Sequence, residues 1–176
     1  MAEPITPGPK QLLVALDTNV LIDLANGLDK ATDCIETIRE RAKLAVFVIP
    51  PTVIEELAYI SQDGETRSER SAALNALKNL VNIWGFTPSD CVPVGNGIVE
   101  EIGRKIRKAR LLPEDEVNDS FVIAESALIG ATILISSDRH IAGIDREELR
   151  LTLDSSDVAV PTILHPAQVA KYYLKG

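Results

Sequence analysis

Short apolar runs, each followed by a longer stretch with helical spacing, punctuate this chain. Leu12 to Leu16 (LLVAL) and Leu44 to Ile49 (LAVFVI) have strand length, and Thr132 to Ile135 and Thr162 to Leu164 are shorter runs of the same kind. Between them the periodicity predicts a short helix from Val20, a helix over 31–42, and one starting at Pro50-Pro51 that turns Val53, Ile54, Leu57 and Ile60 inward. Further helices are expected over 72–81, 98–109, 114–128 and 166–174, the third of these closed by Gly130 as a C-cap. The polar stretch SQDGETRSERS at 61–71 reads as a loop, and 89–97, with its proline and two glycines, as a connection holding one short strand. The region 61–97 is the one part that does not follow the strand-then-helix alternation.

Strands that are continuous apolar runs, rather than alternating ones, are covered on both faces. Alternating with helices, they predict an α/β fold, a three-layer α/β/α sandwich around a central parallel sheet. The length of 176 residues and a composition of 45% hydrophobic and 25% charged residues suit one domain, expected over 11–176 behind a lead-in at 1–10. No apolar run approaches the length of a membrane span, and MAEPITPGPK lacks the basic head and apolar core of a secretion signal, so a cytoplasmic protein is expected. Cys34 and Cys91 stand far apart without metal-binding spacing and read as small apolar fillers. The net charge of -8 argues against a protein that coats nucleic acid through broad basic patches. Part of that charge can be concentrated in a metal site, where a bound cation reverses the local field.

Ligands of open parallel sheets bind beyond the carboxyl ends of the strands. Asp17 directly follows LLVAL and Asp138 follows ATILISS, which puts both carboxylates at that edge. Either one alone would serve equally well as a helix N-cap. Asp119 and Glu56 lie near the starts of two predicted helices, where an acid also complements the helix dipole. Four carboxylates converging without compensation repel one another, whereas a divalent cation makes the cluster favourable, and oxygen-only ligands point to Mg2+ or Mn2+ rather than zinc.

With these residues in place, the chain resembles the PIN-domain family of nucleases. The matching pieces are LDTNVLIDL at 16–24, PTVIEELAYI at 51–60, NDSFVIAESALIGATILISSDRHI at 118–141 and TILHPAQVAKYYL at 162–174. Carried over residue by residue, the family's acidic positions fall on Asp17, Glu56, Asp119 and Asp138, and its supporting polar positions on Asn19 and Ser136. Glu55 competes with Glu56, but the glutamate directly before Leu57 fits the pattern better. The resemblance implies an endoribonuclease that hydrolyses RNA phosphodiester bonds with a metal-activated water, the four acids serving as ligands of Mg2+ or Mn2+. Within the family the leading subtype resembles the toxin ribonucleases of bacterial toxin-antitoxin pairs, which form homodimers and are blocked by a small antitoxin. An RNA-processing enzyme outside any such pair stays open, because the chain is longer than a minimal toxin.

Several residues carry weaker signals. Arg139, beside Asp138, is the candidate contact to the RNA strand, and His140 reads as solvent-exposed or capping. Glu116, one turn before Asp119, could face the site as well, but reads rather as an exposed helix-start glutamate. In the basic run from Arg104 to Arg110, Arg104, Arg107 and Lys108 share a helix face, which suits either a phosphate backbone or a solvated surface. Two rival functions remain. A haloacid-dehalogenase-like phosphatase needs a second aspartate two residues after the first, and that position here is Asn19. A non-catalytic PIN-like RNA-binding or scaffold protein is separated from the nuclease only by metal-dependent cleavage.

Overall fold

The computed structural model describes residues 11–90 and 96–174. In chain order these form β1 (Leu12–Leu16), α1 (Thr18–Ala25), α2 (Asp29–Arg41), β2 (Ala45–Ile49), α3 (Pro51–Asp63), α4 (Arg67–Asn79), β3 (Thr87–Pro88), α5 (Asn96–Lys108) and α6 (Val117–Ile129). They continue with β4 (Ile133–Ile135), α7 (Arg139–Ala142), α8 (Arg146–Leu153), β5 (Thr162–Leu164) and α9 (Val169–Leu174), with 3-10 turns at Asp154–Ser156 and Pro166–Gln168. All strand pairs are parallel and the sheet order is β3-β2-β1-β4-β5. Successive residues of a strand point to opposite faces, and Val14, Ala15 and Leu16 are all fully buried. Both faces of the sheet are therefore covered, which is the three-layer α/β/α sandwich that the apolar runs predict.

The polar stretch 61–71 is not a loop. α3 runs on to Asp63 and α4 starts at Arg67, so only 64–66 turn the chain. A Cβ on Gly64 would meet the Ile60 carbonyl oxygen at 2.6 Å, so a side chain has no room at this turn. Thr66 and Glu69 form a reciprocal capping box, each side chain accepting from the other's backbone N–H at 3.1 Å, which stabilises the start of α4 by about 1 kcal/mol. The buried alanines Ala72, Ala73 and Ala76 let α4 lie close against α3 and α1. The stretch left outside the alternation thus adds a helical hairpin to one layer.

Other boundaries also differ. The helix expected over 114–128 starts at Val117, after a turn held by the Glu116 N–H to the Pro113 carbonyl. It ends at Gly130, whose φ of +80° supplies the left-handed C-cap. The strand expected within 89–97 lies just before it, at Thr87–Pro88, paired with Val48–Ile49; 91–95, Cys91 and the lead-in at 1–10 lie outside the described residues. α7, α8 and the following 3-10 turn occupy a region where no element was expected. α7 is a single turn, and α8 (REELRLTL) buries only Leu149 and Leu153, too sparse a pattern to stand out. Cys34 is buried among apolar side chains, which pushes its thiol up to about 12 and keeps it inert. Among the described residues no helix is long and apolar enough to cross a membrane.

Candidate active site

From β1 the chain moves outward through β2 to β3, then returns to place β4 on the other side of β1. Connections leaving β1 and β4 therefore diverge, and a crevice opens beyond their carboxyl ends. The register pairs Leu16 with Ile135, so the next residues, Asp17 and Ser136, stand side by side. Ser136 is fully buried and its hydroxyl donates to Asp17 Oδ2 at 2.7 Å, while the Thr18 N–H donates to Asp17 Oδ1 at 2.8 Å. The same Ser136 oxygen accepts from the Asp138 N–H at 3.1 Å. Asp138 Oδ1 accepts the N–H groups of His140 at 2.6 Å and Ile141 at 3.3 Å. Both aspartates thus cap the helices that follow them, at the carboxyl ends of β1 and β4.

Two helices bring further acids. From α3, Glu56 accepts a 2.5 Å hydrogen bond from the Thr18 hydroxyl, which holds it beside Asp17; Glu55 is exposed and its charge acts instead on Glu125. The first turn of α6 brings Asp119, whose carboxyl is raised in pKa by the neighbouring Glu116 side chain. Glu116 is also 3.5 Å from His140 Nδ1. The expectation of a merely exposed Glu116 is therefore corrected: it is half-buried and belongs to the acid cluster. Its position three residues before Asp119, at the N-cap of α6, was the signal for this. Thr18 and His140 also join the site, Thr18 as the link between Asp17 and α3. Asn19 and Arg139 are exposed and form no hydrogen bond or ion pair with these acids among the described residues.

The electrostatics follow from the crowding. Burial pushes the Asp17 carboxyl up to about 6, against the opposing hydrogen bonds from Ser136 and Thr18, and the charges of Glu56 and Asp138 raise it further. Asp119 is pushed up to about 8, first by burial, then by the Asp17 charge, the Glu116 side chain, and Asp138. These shifts set the sign of the pH dependence. Between the unfolded value of 3.8 and the folded values, the native state binds more protons than the unfolded chain, so stability falls as pH rises. Thermal unfolding in EDTA is expected to show a melting temperature that drops steadily from pH about 4 to about 8. Mn2+ is expected to flatten this decline, and a melting temperature independent of pH in EDTA would contradict the assigned cluster.

Among the described residues no group of three or more His, Cys, Asp or Glu side chains already stands in metal-ligating geometry. The donor set nonetheless suits one class of ion. It offers carboxylate and hydroxyl oxygens whose mutual repulsion a hard divalent cation would relieve, and no thiolate.

Fold and site together define an open parallel α/β protein with an acidic crevice at its topological switch point. The chain belongs to the PIN-domain family, whose model matches residues 14–147, a span that includes all four acids and Ser136. No curated protein matches the sequence at a significant level. Among solved structures, the chain resembles one in the crystal structure of VapBC2 from Rickettsia felis bound to a DNA fragment from their promoter. The likeness has a TM-score of 0.60 at 14% identity and covers 88% of this chain and 98% of that one. At that identity it speaks for the fold, which the two chains share almost end to end.

Proposed function

We propose that this chain is a metal-dependent endoribonuclease that hydrolyses RNA phosphodiester bonds. The observation carrying this reading is the convergence of Asp17, Glu56, Asp119 and Asp138 on one crevice, where burial and like charge lift two of them far above the usual carboxylate range. These four acids would hold Mg2+ or Mn2+, and a cation bound there supplies a nucleophilic water at neutral pH and neutralises charge developing on the phosphate. The chain's own part is orientation. Asp17 is fixed by donors on both oxygens, Glu56 by the Thr18 hydroxyl, and Asp138 by two α7 amides on Oδ1, which leaves its Oδ2 for a ligand. Arg139, exposed at the crevice rim, is read as a contact to the RNA strand, and Asn19 as a polar support.

The test is cleavage of mixed RNA by the purified protein in Mg2+, in Mn2+ and in EDTA, beside an Asp17→Asn, Asp119→Asn double variant prepared in parallel. Cleavage that needs the metal and vanishes in the variant supports the reading. Equal cleavage in every tube marks a contaminant and favours a non-catalytic PIN-like RNA-binding or scaffold protein. Ser136→Ala provides a finer check. It removes the bond that aligns Asp17 while keeping every carboxylate, so activity is expected to fall about 10- to 100-fold with a matching loss of metal affinity. Unchanged Mn2+ affinity by calorimetry would remove Ser136 from the site.

Within this reading the subtype is a toxin-type ribonuclease acting in the cytoplasm as a homodimer and restrained by a small antitoxin. Its support is the near end-to-end fold likeness to the Rickettsia felis VapBC2 chain. Light scattering at twice the chain mass, and loss of cleavage on adding the product of a neighbouring small gene, are the expected results. A monomer whose cleavage no such product inhibits would point to an RNA-processing enzyme.

A further inference from the structure

At the end of α5 lies a groove of about 910 Å³ lined by Arg104, Arg107 and Lys108 of the helix and by Arg110 just past it, and closed by the 111–114 segment, with Glu114 its one acidic member. Four cations gathered on one groove run against the chain's net charge of -8. Three of them are not spent on neighbours, as Lys105 is in its ion pair with Glu101 and its bonds to Ser155 and Ser156. Arg104, Lys108 and Arg110 are exposed and their side chains make no hydrogen bond or ion pair among the described residues. Arg107 is half-buried, donates to the Ser120 hydroxyl and lies 6.0 Å over the Phe121 ring. That bond ties the floor of the groove to the residue next to Asp119.

Arg110 supplies a second, independent observation. It closes α5 with the paired bonds of a Schellman cap, its N–H to the Arg107 carbonyl and the Leu111 N–H to the Ile106 carbonyl. Its φ is +58°, the left-handed region that favours glycine and strains a residue with a Cβ. A long cation that lines the groove is thus held at this cap position at a cost in backbone strain. Strain of this kind gathers at functional sites.

We propose that this groove is a phosphate-backbone site that carries a single RNA strand into the acidic crevice. The proposal rests on the nuclease reading for its choice of RNA; the binding itself follows from charge. Free cations with no stacking aromatic on the groove wall grip phosphates without reading bases, so binding is salt-dependent and indifferent to sequence.

The test separates binding from cleavage. Fluorescence anisotropy in EDTA, with a labelled single-stranded RNA across a salt series, compares the parent with Arg104→Ala/Lys108→Ala, Arg110→Gly and the distant control Lys30→Ala/Lys43→Ala. The first double variant is expected to flatten the slope of log affinity against log salt by about 1.4, and Arg110→Gly by about 0.7, with the control unchanged. Arg110→Gly is also expected to raise the melting temperature by about 2–4 °C as the strain is released, so its weaker binding cannot be blamed on misfolding. A groove variant with the parent's slope, an RNA-blind parent, or tighter binding to duplex DNA than to RNA would overturn the proposal. Salt-dependent RNA binding lost in the groove variants of a protein that cleaves nothing would sustain the groove and sink the nuclease reading.

Discussion

Asp119→Asn is expected to reduce metal-dependent RNA cleavage by about a thousandfold while raising the melting temperature of the metal-free protein. The two effects share one cause. Asp119 sits where burial and the charges of Asp17, Glu116 and Asp138 all oppose its ionisation, so a neutral amide of the same shape relieves the folded state. The same substitution removes an anionic oxygen from the proposed metal site, where charge stabilisation is worth several kcal/mol, and about 4 kcal/mol corresponds to a thousandfold in rate. Cleavage assays in Mn2+ and thermal melts in EDTA check the two halves separately. A variant that loses both activity and stability would mean that Asp119 supports the fold instead, and one that keeps its activity would remove it from the site.

Ile135→Ala is expected to give the largest loss of stability among single core truncations at the site. Ile135 ends β4, is fully buried, and is paired on one side with Leu16 and on the other with Leu164. Truncating a buried isoleucine loses transfer free energy and leaves a cavity, together about 2–5 kcal/mol, and for a chain of this size each kcal/mol lowers the melting temperature by about 2–4 °C. Because Ser136 follows directly, relaxation of the strand end also disturbs the bond to Asp17, so activity is expected to fall with stability. Leu151→Ala, at a side chain 61% exposed on α8, is the comparison and is expected to change stability by no more than about 0.5 kcal/mol. Equal melting temperatures for the two variants would show that the β4 end is less tightly packed than its burial implies.

The sheet was legible in the chain because most of its strands are short, continuous and largely apolar runs of the kind a doubly covered parallel sheet uses, and four of the five strands were readable in this way. The positions of Asp17 and Asp138 were legible for the same reason, since Asp17 directly follows such a run and Asp138 stands two serines beyond one. The helices from Pro50-Pro51 and over 72–81 were legible too, but the helical ends within 61–71 were not, because that stretch is charged and the inner face of α4 is built from Ala72, Ala73 and Ala76, whose small side chains give little contrast. α8 escaped notice for a similar lack of contrast.

The sequence by itself determined the class of fold and the residue types of the site, because burial pattern and side-chain chemistry are local properties. Only the tertiary structure decided which neighbours meet. The Leu16–Ile135 register sets Ser136 on Asp17, Thr18 selects Glu56 over Glu55, and the turn before α6 brings Glu116 to both Asp119 and the His140 of α7. Those pairings join residues up to 119 positions apart, and strand register and helix packing, acting across the core, bring them together.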